Sequence, residues 1–189
     1  MLVRTTYLEQ RSAGDVRPAR APADPVEVVR VARPAPEFSR FLYATVGGEW
    51  HWHGRLGWTR EDWLAHLNRP LVETWVAWVA GAPAGYVELC GSSTVDETNV
   101  EIAYFGLLPG FLGLGLGGHL LTAGLRLAWT MAARWPGTEP VGRVWVHTCT
   151  LDGPAALANY QARGLTVYRT EEAEEDVPDS PPGSWPASG

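Results

Sequence analysis

The chain has 189 residues, 46% of them hydrophobic, with ten tryptophans and a formal net charge of −6. That length supports one domain with a sizeable core, and the acidic balance excludes a nucleic-acid binder that relies on a basic face. All fifteen basic residues are arginine, so a phosphate loop of the Gly-Lys type is excluded as well.

Residues 2–10 and 26–32 read as strands, separated by an Arg/Pro/Ala-rich loop. Pro36 opens a helix in which Phe38, Phe41, Leu42 and Thr45 recur at i, i+3, i+4 and i+7, and Gly47-Gly48 ends it. Thr59 caps a second helix, with Asp62 three residues on and Trp63, Leu64 and Leu67 as its buried stripe. Pro70 closes it. Residues 74–80 and 85–90 are β-rich and flank Gly81-Ala82-Pro83-Ala84, which is a hairpin pattern. A polar loop through Asn99 leads into a strand that opens with Glu101 and ends at Leu107. The glycine-rich run from Gly113 to Gly118 then feeds a helix expected from Leu116 to about Trp135. Pro136-Gly137 breaks the chain, and residues 143–150 form another strand. A short helix starts at Gly153-Pro154, with Gly164 just past its end. Residues 165–170 are the last strand, and from Glu171 onward the acidic, Pro/Ser-rich composition predicts disorder to residue 189. No internal repeat is visible.

Hairpins early and crossovers late describe a single-domain α/β fold: a mixed, mostly antiparallel central sheet with helices on both faces. Between Glu101 and Arg126 there is no charged side chain. The seven glycines, Pro109 and His119 within residues 106–125 rule out a membrane span there. An anion bound at this loop must be held by backbone N–H groups and the positive end of the helix dipole. Cys90 and Cys149 are too few for a disulfide framework and fit no metal spacing. The opening residues lack an apolar run of signal-peptide length, so a cytoplasmic location is the expectation.

Glu101 is the candidate general base. On regular alternation it shares a strand face with Ala103, Phe105 and Leu107, an apolar surface on which desolvation strengthens a carboxylate as a base. Glu49-Trp50-His51-Trp52-His53 is the other conspicuous cluster. Glu49, Trp50 and Trp52 are read as lining an acceptor pocket. Glu49, His51 and His53 share a face at period two, but no distant ligand completes a metal site, and none is expected. His147 and Cys149 alternate on one strand face, and a thiol nucleophile there is a minor alternative.

Three segments together resemble the GNAT superfamily of acyl-CoA-dependent N-acetyltransferases. They are residues 101–107, residues 113–118, and Ala156-Leu157-Ala158-Asn159-Tyr160-Gln161-Ala162-Arg163-Gly164-Leu165, which is similar to that family's helix-to-strand signature with Leu165 in place of Phe. The resemblance implies a domain over residues 1–170, of which 1–25 is a partly irregular arm. It implies acetyl-CoA as co-substrate, with its pyrophosphate over Gly113, Gly115, Gly117 and Gly118. Leu107, Leu108, Leu112, Leu114 and Leu116 are then the flanking cofactor contacts. It also implies Tyr160 as the general acid for the departing thiolate, and a small-molecule or peptide amine as acceptor. Three departures stand out: Leu112 occupies the family's Gln/Arg position, Leu114 a position often polar or basic in relatives, and the helix-opening Asn expected near Gly153 is missing. No nucleic acid or membrane partner is expected, and the Trp-rich surface is compatible with a homodimer.

Two other readings compete. Leu112 and Leu114 favour a non-catalytic acyl-CoA-binding module. Gly113-x-Gly115-x-x-Gly118 also satisfies the dinucleotide fingerprint of an NAD-dependent oxidoreductase, although Glu139, at the right distance for a ribose ligand, precedes its strand instead of ending it.

Overall fold

The computed structural model describes residues 1–183. Seven strands form one sheet: β1 (Leu2–Gln10), β2 (Glu27–Arg30), β3 (Val72–Val79), β4 (Ala82–Ser93), β5 (Thr98–Leu107), β6 (Val141–Cys149) and β7 (Thr166–Glu174). The order across the sheet is β2-β3-β4-β5-β6-β1-β7. Every neighbouring pair is antiparallel except β5 and β6, which run parallel. Helices α1 (Pro36–Gly47) and α2 (Arg60–Leu67) cover one face, and α3 (Leu116–Trp129) and α4 (Ala156–Ala162) pack on the other.

Local chemistry explains the helix limits. Pro36 sits in the first turn of α1, where its missing N–H costs nothing. Thr59 and Asp62 form a reciprocal capping box at the start of α2. The helix after the glycine loop stops at Trp129, six residues before the expected end. Thr130 Oγ1 turns back to the Arg126 carbonyl, and a 3-10 turn over Met131–Arg134 carries Arg134 to the buried Glu73. Glu73 also accepts hydrogen bonds from Trp75 and Trp135.

Two apolar clusters fill the two layers. Leu89, Ile102, Leu107, Leu120, Leu121 and Leu125 belong to the larger one beneath α3. Leu42, Val46, Val76 and Tyr86 form the smaller one beneath α1, joined by Trp52 and Tyr104.

Two expectations are corrected here. The strand face of Glu101 does not continue through Ala103, Phe105 and Leu107. Glu101 stands opposite Cys90 and Ile102 opposite Leu89, but Tyr104 stands opposite Glu88, so Ala103 is an extra, unpaired residue. This bulge reverses the alternation beyond it. Phe105 and Leu107 turn to the α3 side, and Tyr104 turns to the α1 side with Glu101. The last strand, in turn, does not end at Thr170. It continues to Glu174, paired with β1 from Leu2 to Glu9. β1 supplies the backbone partners, and Arg4 and Arg169 neutralise Glu172 and Glu171, so residues 171–174 are ordered despite their acidity. Residues 175–183 form no helix or strand, and the part of the tail expectation at residues 184–189 lies outside the described residues.

Candidate active site

β5 and β6 pair only from Thr98 to Glu101, opposite Val141 to Trp145. Beyond that point they diverge, which frees the β6-facing edge of β5 and opens a cleft of about 910 Å³ between the strands. Residues 102–107 of β5 form one wall, and Val146, His147 and Cys149 of β6 form the other.

The glycine loop closes one end. Gly113 and Gly115 have φ of 77° and 75°, the left-handed region open to glycine. Gly115 is the N-cap of α3 and offers no side chain to it, so the first N–H groups of the helix are left for a ligand. A Cβ added at Gly113 or Gly115 would meet nothing within 4 Å, so the approach to the loop is open.

The nine candidate cofactor residues divide. Leu107, Leu112, Gly113, Gly117 and Gly118 line the cleft. Gly115 shapes the turn. Leu116 is 4% exposed and packs in the core, whereas Leu114 is 56% exposed and points away. The Leu108 N–H is already bonded to the Ala84 carbonyl.

A cation that sequence reading missed packs beside this end, against Gly118, without lining the cleft itself. Arg163, the C-cap of α4, brings Nη1 to within 2.5 Å of where a Cβ on Gly118 would stand. Its Nε is buried without a hydrogen-bond partner, and the guanidinium makes no ion pair among the described residues. Arg163 is 37 residues past Arg126, the first charge after the glycine loop, and only the packing of α4 on α3 brings it here. An arginine in the Tyr-x-x-Arg-Gly segment was the one available signal.

Tyr160 lies on α4, 6% exposed, with its ring 6.1 Å from Phe105, and it faces the cleft. Burial and the charge of Asp152 push its hydroxyl well above the ordinary tyrosine range, so it keeps its proton at neutral pH. Glu101 is placed differently from the expectation. It does not line the cleft. Its Oε1 lies 3.3 Å from Nδ1 of His147, whose ring does line it.

The other end of the cleft is aromatic. Trp50 and Trp52 line it with Tyr43 and Tyr104, and the Trp52 ring lies 4.9 Å from Tyr104 and 5.5 Å from Tyr43. Glu49 is exposed and does not reach the cleft. His51 and His53 also line it, with ring centroids 5.9 Å apart. Behind Tyr104, Arg55 is buried against Glu88, which also takes a 2.9 Å contact from His66 Nε2. Ligand atoms of His66, Glu88 and Cys90 lie within 4.8 Å of one another, but the Arg55 guanidinium already occupies the carboxylate.

The model of the acetyltransferase (GNAT) family matches residues 37–165, about two thirds of the chain. The chain belongs to the GNAT family. No curated protein matches it in sequence. Among solved structures, a GCN5-related N-acetyltransferase from Kribbella flavida is similar with a TM-score of 0.58 and 17% identity, covering 88% of this chain and 55% of its own. Another from Sphaerobacter thermophilus has a TM-score of 0.53 and 18% identity, covering 89% and 50%. An aminoglycoside acetyltransferase, meta-AAC0020, from an uncultured soil metagenomic sample has a TM-score of 0.59 and 18% identity, covering 80% and 91%. This GNAT chain thus spans about half the length of the first two structures, and at these identities the likeness is one of fold. No described helix is long and apolar enough to cross a membrane.

Proposed function

We propose that this GNAT protein transfers an acetyl group from acetyl-CoA to a primary amine by direct attack within the β5–β6 cleft. The observation that carries this reading is the free edge of β5, which leads directly to the uncapped start of α3. A pantetheine arm carries amides, and the β6-facing backbone edge of residues 102–107 offers it hydrogen-bonding partners. Six residues of extended strand span about 20 Å, close to the length of such an arm. Phosphates at the glycine loop therefore put a thioester near Glu101, His147 and Tyr160.

Each group has a role in this scheme. Backbone N–H groups at Gly117 and Gly118 and the Arg163 guanidinium hold the phosphates, so Arg163 replaces the charge that Leu112 cannot supply. The negative charge of Glu101 drives removal of the amine's proton, and Tyr160 protonates the leaving thiolate. The acceptor end has an aromatic wall, and among the described lining residues the carboxylates are those of Asp152 and Glu175. That lining favours a cationic small-molecule amine. A similar fold occurs in an aminoglycoside acetyltransferase in complex with sisomicin, an acceptor class consistent with this lining.

A thermal-shift measurement with acetyl-CoA, free CoA and NAD tests the reading. Acetyl-CoA and CoA stabilise the native state by mass action, and NAD does not. Gly117→Val keeps the fold, since a Cβ there has ordinary 3.8 Å contacts with Asn159 and Leu107, but blocks phosphate approach and removes the shift. Stabilisation by NAD with no response to millimolar acetyl-CoA would overturn the proposal.

A further inference from the structure

Glu101 and His147 come from different strands, yet their side chains meet at the point where β5 and β6 separate. Glu101 is the inner partner, a quarter exposed and absent from the cleft wall, whereas the His147 side chain is 47% exposed and on that wall. The carboxylate engages Nδ1, which leaves Nε2 as the imidazole nitrogen available to a substrate. We infer that His147 is the group that takes the amine's proton, and that Glu101 is a positioning residue acting through it. This rests on the acetyl-transfer reading given above.

The ring is well placed for that task. Tyr7 on β1 lies 5.9 Å away and Trp145 on its own strand 6.2 Å away, so the imidazole is held from two sides. The charged groups facing it are Glu101 from β5 and Asp152 from the turn after β6, both acidic. The 3.3 Å approach and the charge of Glu101, with the charge of Asp152, raise the imidazole above its ordinary range against the opposing effect of burial. A carboxylate on Nδ1 also fixes the tautomer with its lone pair on Nε2.

The step balances without another reactant. Neutral His147 takes one proton from the ammonium through Nε2 and becomes imidazolium beside Glu101. The freed amine nitrogen forms the N–C bond at the thioester carbonyl. Collapse breaks the C–S bond, and the thiolate takes the Tyr160 proton. The second proton on nitrogen restores Tyr160, and His147 returns its proton to solvent.

The experiment combines kinetics with direct titration of the ring. Kanamycin, spermidine and tyramine serve as probe amines, and pH profiles of kcat/KM are taken with the best of them. His147→Gln and Glu101→Gln should each lose about 10²–10⁴-fold in turnover, the usual worth of general-base catalysis. The double variant should be no worse than His147→Gln alone, because the two act as one unit. In Glu101→Gln the acid limb should move to lower pH, and the His147 ring, followed by NMR without substrate, should titrate lower by the same amount. A His147→Gln enzyme with the wild-type acid limb would overturn the inference and leave Glu101 acting directly. An NMR midpoint unchanged in Glu101→Gln would overturn it as well. If acetyl-CoA neither binds nor acetylates any of the three amines, the acetyltransferase reading itself fails, and the inference with it.

Discussion

Arg55 Nη1 lies 2.9 and 3.1 Å from the two carboxylate oxygens of Glu88, and the same guanidinium is stacked 4.3 Å from the centre of the Tyr104 ring. One buried arginine thus links a charge in the core to an aromatic wall of the cleft. Removing one partner of such a pair leaves an uncompensated buried charge. Arg55→Met should cost about 3–5 kcal/mol in denaturant unfolding. Arg55→Met combined with Glu88→Leu should recover most of that loss. A double variant as unstable as Arg55→Met would show that the stacking on Trp58 and Tyr104, and not the ion pair, carries the stability.

Arg163→Ala should leave the melting temperature of the free protein nearly unchanged, since the guanidinium makes no ion pair among the described residues. Acetyl-CoA affinity measured by calorimetry should fall about 10–100-fold, the range for a lost charged hydrogen bond. Its salt dependence should weaken as well, because one charge–charge contact has gone. Equal affinity in the variant would return phosphate binding to the backbone alone.

Tyr160→Phe keeps the packing against Phe105 and removes only the hydroxyl. Turnover should fall by about 10²-fold or more with acetyl-CoA affinity unaltered, because the hydroxyl matters most as the thiolate leaves. Steady-state kinetics beside calorimetry separates the two effects. A variant with full turnover would make Tyr160 a packing residue of the α4–β5 contact.

Acid should destabilise the protein through Glu73 and Glu88. Burial pushes both carboxyls up. At Glu73 the hydrogen bonds from Arg134, Trp75 and Trp135 outweigh burial, and at Glu88 the hydrogen bond from His66 and the charge of Arg55 do so, which holds both below the ordinary value of 4.5. A carboxylate lowered in the folded state binds fewer protons there than in the unfolded chain. Its stabilisation is complete above the unfolded value and is lost as the pH falls through the folded one. Unfolding free energy should therefore decline below about pH 4.5, and Glu73→Gln, although less stable at neutrality, should decline less steeply. Parallel pH curves for the two proteins would exclude Glu73 as a source of the acid sensitivity.

The positions of Thr59, Pro36 and the Gly81 hairpin were legible because each rests on chemistry within a few residues. So was the glycine turn before α3, where Gly113 and Gly115 take the positive φ that the backbone needs. The facing of β5 was not legible. Ala103 is an ordinary strand residue, and it becomes a bulge only because β4 has one residue fewer between Glu88 and Leu89. Arg163 and His147 escaped for a related reason. The roles proposed for them depend on which strand or helix lies beside them, and the local pattern says nothing of neighbours distant in the chain. The acidic run after Thr170 looked unfoldable on composition, yet β1 gives it a partner that composition could not reveal.

The place of β1 between β6 and β7 makes the seven strands close like a clasp. Thr5 pairs with Cys149 on one side and with Glu171 on the other, so β1 finds its first neighbour only after more than a hundred further residues of chain. The β3–β4 and β4–β5 hairpins can assemble early from nearby segments, whereas the wall that carries His147 stays incomplete until β1 meets β6 and β7. Amides of β1 and β7 should thus be the last to gain protection in pulse-labelled refolding. The β5–β6 cleft would be the final part of the molecule to exist.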